Sequence, residues 1–306
     1  MTRIEQFGWR GPVEPGIGRV VSAHGDYYHL VADEQPTGEL LARKKKSAFT
    51  RMKASAPLDM KAARIPKRQT PNPSTPQLLN PSTPALPITG DFVRFRHNAQ
   101  GDSMITEVLP RFSHFERKDP TARRQVQTLA VNFDTLFIMM SLNENFSLPR
   151  LKRYLALAED MGEAAAVVVL TKLDRIAAAG ERERFIAAAS GIARSSATVI
   201  AISSLSGEGL DALAPHLAPR RTVAFIGSSG VGKSTLLNTL AGEEWQATQE
   251  VQEWSGKGRH TTTSRELVML PSGAMVIDTP GIREIGLVGE SVSFLVKGES
   301  THRYRK

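Results

Sequence analysis

The sequence predicts an α/β core with a mostly parallel sheet, preceded by a small all-β barrel of the OB type. Three observations carry this. Before residue 110 the apolar residues fall in short β-rich runs separated by turn signals. After about residue 131, longer apolar runs alternate with helical patterns. A glycine-rich octapeptide, Gly227 to Ser234, stands between one of these later runs and a helical stretch. With 306 residues, 41% hydrophobic and 23% charged, the chain has the balance of a globular protein and room for one large or two to three ordinary domains.

In the first part, IGRVVSA (17–23) and YYHLVA (27–32) are strand candidates divided by His24-Gly25-Asp26, and GELLARK (38–44) follows a Pro-Thr-Gly turn. Residues 57–87 hold eight prolines and the near-duplicate Asn-Pro-Ser-Thr-Pro at 72–76 and 80–84. Such a composition buries too little apolar surface to fold and reads as a disordered insertion at about 54–88. Strand character returns in DFVRFR (91–96) and SMITEVL (103–109). Five short strands fit an OB barrel, a frequent nucleic-acid binder.

The later runs TLFIMM (135–140), AAAVVVLT (164–171), ATVIAIS (197–203), TVAFIG (222–227) and AMVIDT (274–279) are continuous, as expected of parallel strands covered on both faces. Ser147 can cap a helix with Pro149 in its first turn, and Leu148, Leu151, Leu155 and Ala158 recur at helical spacing. The expected organisation is a barrel unit over 1–110, a junction over 111–133, the α/β core over 134–287 and a short tail over 288–306.

Composition narrows the chemistry. The chain has no cysteine, which excludes disulfides and thiolate zinc sites, and its seven histidines show no H-x-x-x-H spacing. No run approaches the ~18 apolar residues of a membrane-spanning helix, and the start MTRIEQFGWR lacks a secretory apolar region, so a cytoplasmic protein without membrane contact is expected. The net charge of +8 is lopsided: residues 1–130 hold 20 Lys/Arg against 12 Asp/Glu, and residues 131–306 hold 19 against 19. A polyanion partner for the first part is one reading, and a solvated basic surface is the other. Arg43, Lys44, Lys45 and Lys46, with Arg94, Arg96, Arg123 and Arg124, are the candidate phosphate contacts.

Gly227-Ser228-Ser229-Gly230-Val231-Gly232-Lys233-Ser234 fits G-x-x-x-x-G-K-[ST] and is followed by Thr235 and a helical run. Glycines let consecutive N–H groups turn inward toward phosphate oxygens, Lys233 would reach the β- and γ-phosphates, and the Ser234 hydroxyl would ligate Mg²⁺. Asp278 heads Asp-Thr-Pro-Gly at the end of AMVI, where a metal-side acid is expected, and Gly281 can bring an N–H to the γ-phosphate. Thr171-Lys172-Leu173-Asp174 ends another strand. The Asp174 carboxylate can accept two hydrogen bonds from guanine, which adenine cannot donate, and the Lys172 stem can cover the base. Ser203 and Ser204, after the next strand, could offer a backbone N–H to the guanine oxygen.

These motifs, with the His-Thr-Thr-Thr run at 260–263, resemble the five boxes of the Ras-like GTPases in a permuted order, base-recognition motifs first. Together with the basic barrel, R-F-S-H-F-E-R-K (111–118) and A-V-N-F-D (130–134), they resemble the RsgA (YjeQ/EngC) family of circularly permuted GTPases. The resemblance implies GTP/GDP and Mg²⁺ as ligands, binding to the 30S ribosomal subunit and 16S rRNA as a monomer, and ribosome-stimulated GTP hydrolysis. It implies a switch threonine, Thr262 among 261–263, that would also ligate Mg²⁺. The Ras-like water-orienting glutamine is replaced by Ile282, and His260 is the candidate for that role beside the catalytic Lys233. The family also carries a helical zinc domain with three cysteines and a histidine. This chain holds none of those cysteines, so no zinc site is expected. The alternative reading is a guanine-nucleotide- and RNA-binding protein with little or no hydrolysis.

Overall fold

The computed structural model describes residues 1–35, 37–45, 86–118, 126–242 and 265–278. The expected insertion (for all but its last residues) and the expected tail, together with Lys46, Arg123, Arg124, His260, Thr262 and Gly281, lie outside the described residues.

After a one-turn helix α1 (Arg3–Gln6), held by a Thr2–Glu5 capping box, come β1 (Ile17–His24), β2 (Tyr27–Ala32), β3 (Leu40–Lys44), β4 (Phe92–Arg96) and β5 (Ser103–Val108). Antiparallel pairs β1–β2, β2–β3, β4–β5 and β1–β4 and the parallel pair β3–β5 close these strands into a barrel. Alternation decides what goes inside: Val20, Tyr28, Leu30, Leu40, Ala42, Val93, Phe95 and Ile105 make one buried cluster.

The stretch expected as a junction forms a hairpin, β6 (His114–Lys118) with β7 (Val126–Val131). The core follows: β8 (Thr135–Ser141), α2 (Leu148–Leu157), β9 (Ala165–Thr171), α3 (Ala179–Ala193), β10 (Ala197–Ala201), β11 (Thr222–Ile226), α4 (Lys233–Ala241), β12 (Glu266–Met269) and β13 (Met275–Asp278). The Ser147 hydroxyl accepts from Arg150 N at the start of α2, as its sequence signal requires. Strands run in the order β10-β9-β8-β11-β13-β12, parallel except for β12. Successive residues serve opposite faces: Leu136, Ile138 and Met140 pack under α2 and α3, while Phe137 and Met139 pack with Leu236 and Leu237 of α4.

Strand β12 then pairs with β1 (Ser22 opposite Glu266), just past an irregularity between Val20 and Ser22, so barrel and core share one sheet. Arg19 lies in this seam, buried over the Phe92 ring. It donates to the Phe7 and Asn132 carbonyls at 2.5 and 2.8 Å and to Thr222 Oγ1 at 3.0 Å. Burial pulls its guanidinium down to about 9, and Asp134 opposes that fall. Beside it Arg111 grips the buried Asp91 with two bonds of 2.7 and 2.8 Å. Asp134 receives Arg10, Arg221 and Thr222 N.

Candidate functional site

Because β8, β9, β10, β11 and β13 are parallel, their carboxyl ends fall on one edge, and the sequence motifs follow those ends. The glycine-rich loop leaves β11 at the middle of the sheet. A side chain on Gly227 would put its Cβ 2.7 Å from the Met139 carbonyl oxygen of β8, so only glycine lets the loop turn here. Gly232, at φ 104°, sits as the N-cap of α4, a conformation L side chains resist. Val231 is buried in the core beneath the loop. Lys233 opens α4, and its Nζ reaches back to the Gly227 and Ser228 carbonyl oxygens, 2.9 Å each. The ammonium is thereby held across the turn. Ser228, Ser229 and Gly230 make up the rest of the turn, and Ser234 and Thr235 lie in the first turn of α4, where a helix N-terminus favours an anion.

Thr171 and Asp174 stand on the same edge two strands away. The buried Thr171 hydroxyl donates to the Val231 carbonyl oxygen at 2.5 Å, passing over the end of β8. Lys172 takes the left-handed conformation (φ 63°), which turns the chain sharply. The Leu173 N–H then bonds the Ile202 carbonyl oxygen at 3.1 Å. Asp174, exposed at the rim, accepts a 2.6 Å bond from the hydroxyl of Ser203, which is itself fully buried. The Ser204 carbonyl accepts from Thr239 of α4 at 3.3 Å. Both base-side loops are therefore tied to the glycine-rich loop and its helix. Asp278 ends β13, the strand beside β11, on the same edge.

Two of these holding residues escape sequence reasoning. Arg182 on α3 donates to the Ile176 carbonyl at 2.6 Å and to Glu208 at 3.0 Å, clipping together the loops after β9 and β10. Nothing sets it apart in the run Glu181-Arg182-Glu183-Arg184. Thr239 looks like any polar residue on an exposed helix face.

The barrel's candidate residues are arranged differently. Arg43 donates to Asp102 at 2.6 Å and lies over the Tyr27 ring at 4.3 Å. Lys44 meets Asp26 at 2.8 Å, which pushes the Lys44 amine up from its ordinary value. The backbone N–H of Lys45 bonds the Ile105 carbonyl. Among the described residues no cluster of three or more metal-ligating side chains occurs, and no helix is long and apolar enough to cross a membrane.

A glycine-rich phosphate-loop sequence on a central parallel strand, preceded in the chain by strands that normally follow it, defines a circularly permuted P-loop protein. The model of the RsgA GTPase family matches residues 108–288. A protein of Lactiplantibacillus plantarum named small ribosomal subunit biogenesis GTPase RsgA 2 is 46% identical over 202 residues, covering 66% of this chain and 55% of that one. Its namesake from Listeria monocytogenes serotype 4b is 36% identical over 293 residues, covering 93% and 72%. The crystal structure of YjeQ from Thermotoga maritima superposes with a TM-score of 0.54 at 20% identity, covering 87% of this chain and 74% of that one. YloQ, described as a circularly permuted GTPase, gives 0.52 at 21% identity, covering 91% and 76%. The chain belongs to the RsgA GTPase family. It spans 54–57% of the length of relatives that are 42–46% identical to it.

Proposed function

We propose that the chain binds GTP and GDP with Mg²⁺ at this sheet edge, hydrolyses GTP, and acts on the small ribosomal subunit late in its assembly. The observation that carries the reading is the pair of bonds Thr171 to Val231 and Ser203 to Asp174, which sets the carboxylate that would read guanine in register with the phosphate cradle. The residues present fit the nucleotide: an ammonium already drawn to loop oxygens, and a rim carboxylate with acceptor capacity beyond its serine bond. Gly227 to Thr235 would hold the phosphates, with Gly281 adding an N–H. Lys172, Leu173, Asp174, Ser203 and Ser204 would hold the base. Ser234, Asp278 and Thr262 would hold Mg²⁺, which when bound would supply charge that neutralises the phosphates.

Ile282 cannot orient a water, so slow intrinsic turnover is expected, with His260 positioning the water in the partner-bound state. The relatives' names, small ribosomal subunit biogenesis GTPase, support the choice of partner. For 16S rRNA contact the proposed residues are Arg43, Lys44, Lys45 and Lys46. The excess charge, however, resides in 46–85 (7 Lys/Arg, 1 Asp, net +6) and 110–130 (5 Lys/Arg, 2 Asp/Glu, net +3). The Ile282 position also favours a second reading, a nucleotide-dependent RNA binder with little hydrolysis.

GTP turnover of the 306-residue chain with and without purified 30S subunits separates the two. Stimulated turnover supports the first, and its absence alongside normal GDP binding supports the second. Asp174→Asn is expected to shift preference from guanine to xanthine nucleotides; unchanged guanine preference would overturn the base-reading assignment. His260→Ala with full stimulated turnover would remove His260 from the mechanism.

A further inference from the structure

The outward face of the barrel carries an arrangement that the nucleotide site does not use. Period-2 alternation places Tyr27 on β2, Arg43 on β3, Met104 on β5 and Arg96 on β4 outside, while Tyr28, Ala42, Ser103, Ile105 and Phe95 point in. The four outward residues are direct cross-strand neighbours, Tyr27 opposite Arg43, Arg43 opposite Met104, and Met104 opposite Arg96. They form one row about 14 Å long, the scale on which sheet-based RNA readers stack two or three bases. Tyr27 is 39% and Met104 42% exposed near the ends of β2 and β5, and Leu41 at 38% lies beside them on β3, so the apolar exposure is grouped along one rim of the barrel.

We propose that this row is a stacking platform for unpaired RNA, with the Tyr27–Arg43 pair as its anchor and Met104 and Arg96 continuing it. The inference rests on the RNA-binding reading above and specifies which form of RNA is taken. Arg43 is held at three points: its guanidinium carbon lies 4.3 Å from the Tyr27 ring centroid, one Nη donates to Tyr27 Oη, and Nε donates to Asp102. A planar cation held on an aromatic ring offers its other face to a base at little ordering cost.

Charge on the same face argues against duplex RNA. Arg43 is matched by Asp102, and Arg94 by Glu14 and Glu107, so the pull of these two cations on a phosphate backbone is small. An A-form duplex presents phosphates and 2′-hydroxyls with its base faces covered, whereas an unpaired strand presents the π-faces this row can use.

The test uses the full chain and an oligoribonucleotide of about 12 residues carrying 2-aminopurine at its centre, alone or annealed to its complement. The unpaired strand is expected to bind about tenfold tighter than the duplex, with its fluorescence quenched by stacking. Tyr27→Ala is expected to lose the quenching and about tenfold in affinity with an unchanged salt slope, while Tyr27→Trp retains both. Equal binding of the two RNA forms, or a Tyr27→Ala protein that binds and quenches like the parent, overturns the platform while RNA binding stands. Binding of neither form by the parent chain, in a preparation that binds GDP, overturns the RNA reading itself and the platform with it.

Discussion

The nucleotide edge and the barrel wall hold their polar side chains in opposite ways. At the edge, three of the proposed binding elements are oriented by other groups of the same site: Lys233 by the loop carbonyls, Asp174 by Ser203, the loop itself by Thr171. On the barrel wall, cations are matched by carboxylates of neighbouring strands and turns, Arg43 by Asp102, Lys44 by Asp26, Arg94 by Glu14. A constellation whose members restrain one another is pre-organised for a ligand, whereas one whose charges cancel locally has little long-range pull. Clustered basic sequence and a basic site are therefore different things in this chain.

That contrast is most exposed to experiment in RNA affinity. Replacing Lys46, Arg51, Lys53, Lys61, Arg64, Lys67 and Arg68 together by glutamine is expected to flatten the salt dependence of RNA binding by about 5 in log–log slope, at ~0.7 per cation on a single strand. Lys44→Gln, whose amine is held by Asp26, should change the slope by well under the ~0.7 of one engaged cation. Affinity measured from low to moderate salt decides it. A full ~0.7 lost with Lys44, as for each segment cation, would erase the distinction.

At the nucleotide edge the largest single loss is expected from Lys233→Ala. One charge-assisted bond to the β-phosphate at ~1.5–3 kcal/mol corresponds to about 10- to 100-fold in GDP affinity. Arg43→Gln, by contrast, should leave GDP binding unchanged, because its partners are confined to the barrel. Titration of both variants with a fluorescent GDP analogue tests the pair.

Thr171→Val probes whether the restraint between base side and phosphate side matters. Removing the hydroxyl leaves the Val231 carbonyl without that donor and is expected to weaken GDP binding about tenfold, with Thr171→Ser near the parent. If valine binds GDP as well as threonine, the inter-loop bond is packing without consequence for the ligand.

What could be read in advance tracks how local each constraint is. The glycine-rich loop, the Ser147 cap and the alternating faces of β8 are written within a few residues, and they stand where the sequence put them. Strand β12 carries no legible signal, because Glu266-Leu267-Val268-Met269 is four residues with no alternation to see and its barrel partner lies more than 200 positions earlier. The hairpin β6–β7 was hidden for a related reason: its two arms are separated by a charged stretch that reads as a connection. Cross-strand pairing also hid the neutralisation of Arg43 and Lys44, since Asp102 and Asp26 are far from them in the chain. Arg19 reads as an outward polar residue in a β-rich run. The seam between barrel and core covers it from the far side with Thr222, Asn132 and Phe7.

That seam yields the smallest effect and the one with a defined sign. Burial pulls Arg19 down to about 9 from an ordinary 12.5, so the folded chain releases this proton before the unfolded chain does. Between those values the unfolded state binds more protons, and stability from this residue rises with pH. The cost of holding the cation in the seam is fully present below about 9 and is relieved above it. Relative to Arg19→Met, which has nothing to titrate there, the parent chain is expected to gain about 0.7 kcal/mol between about pH 8.5 and about pH 9.5. Urea denaturation of both proteins at the two pH values measures the difference. A gap that stays constant means the bonds to Phe7, Thr222 and Asn132 outweigh the burial, so that the seam holds a permanent cation and the sheet shared by barrel and core is built around a fixed charge.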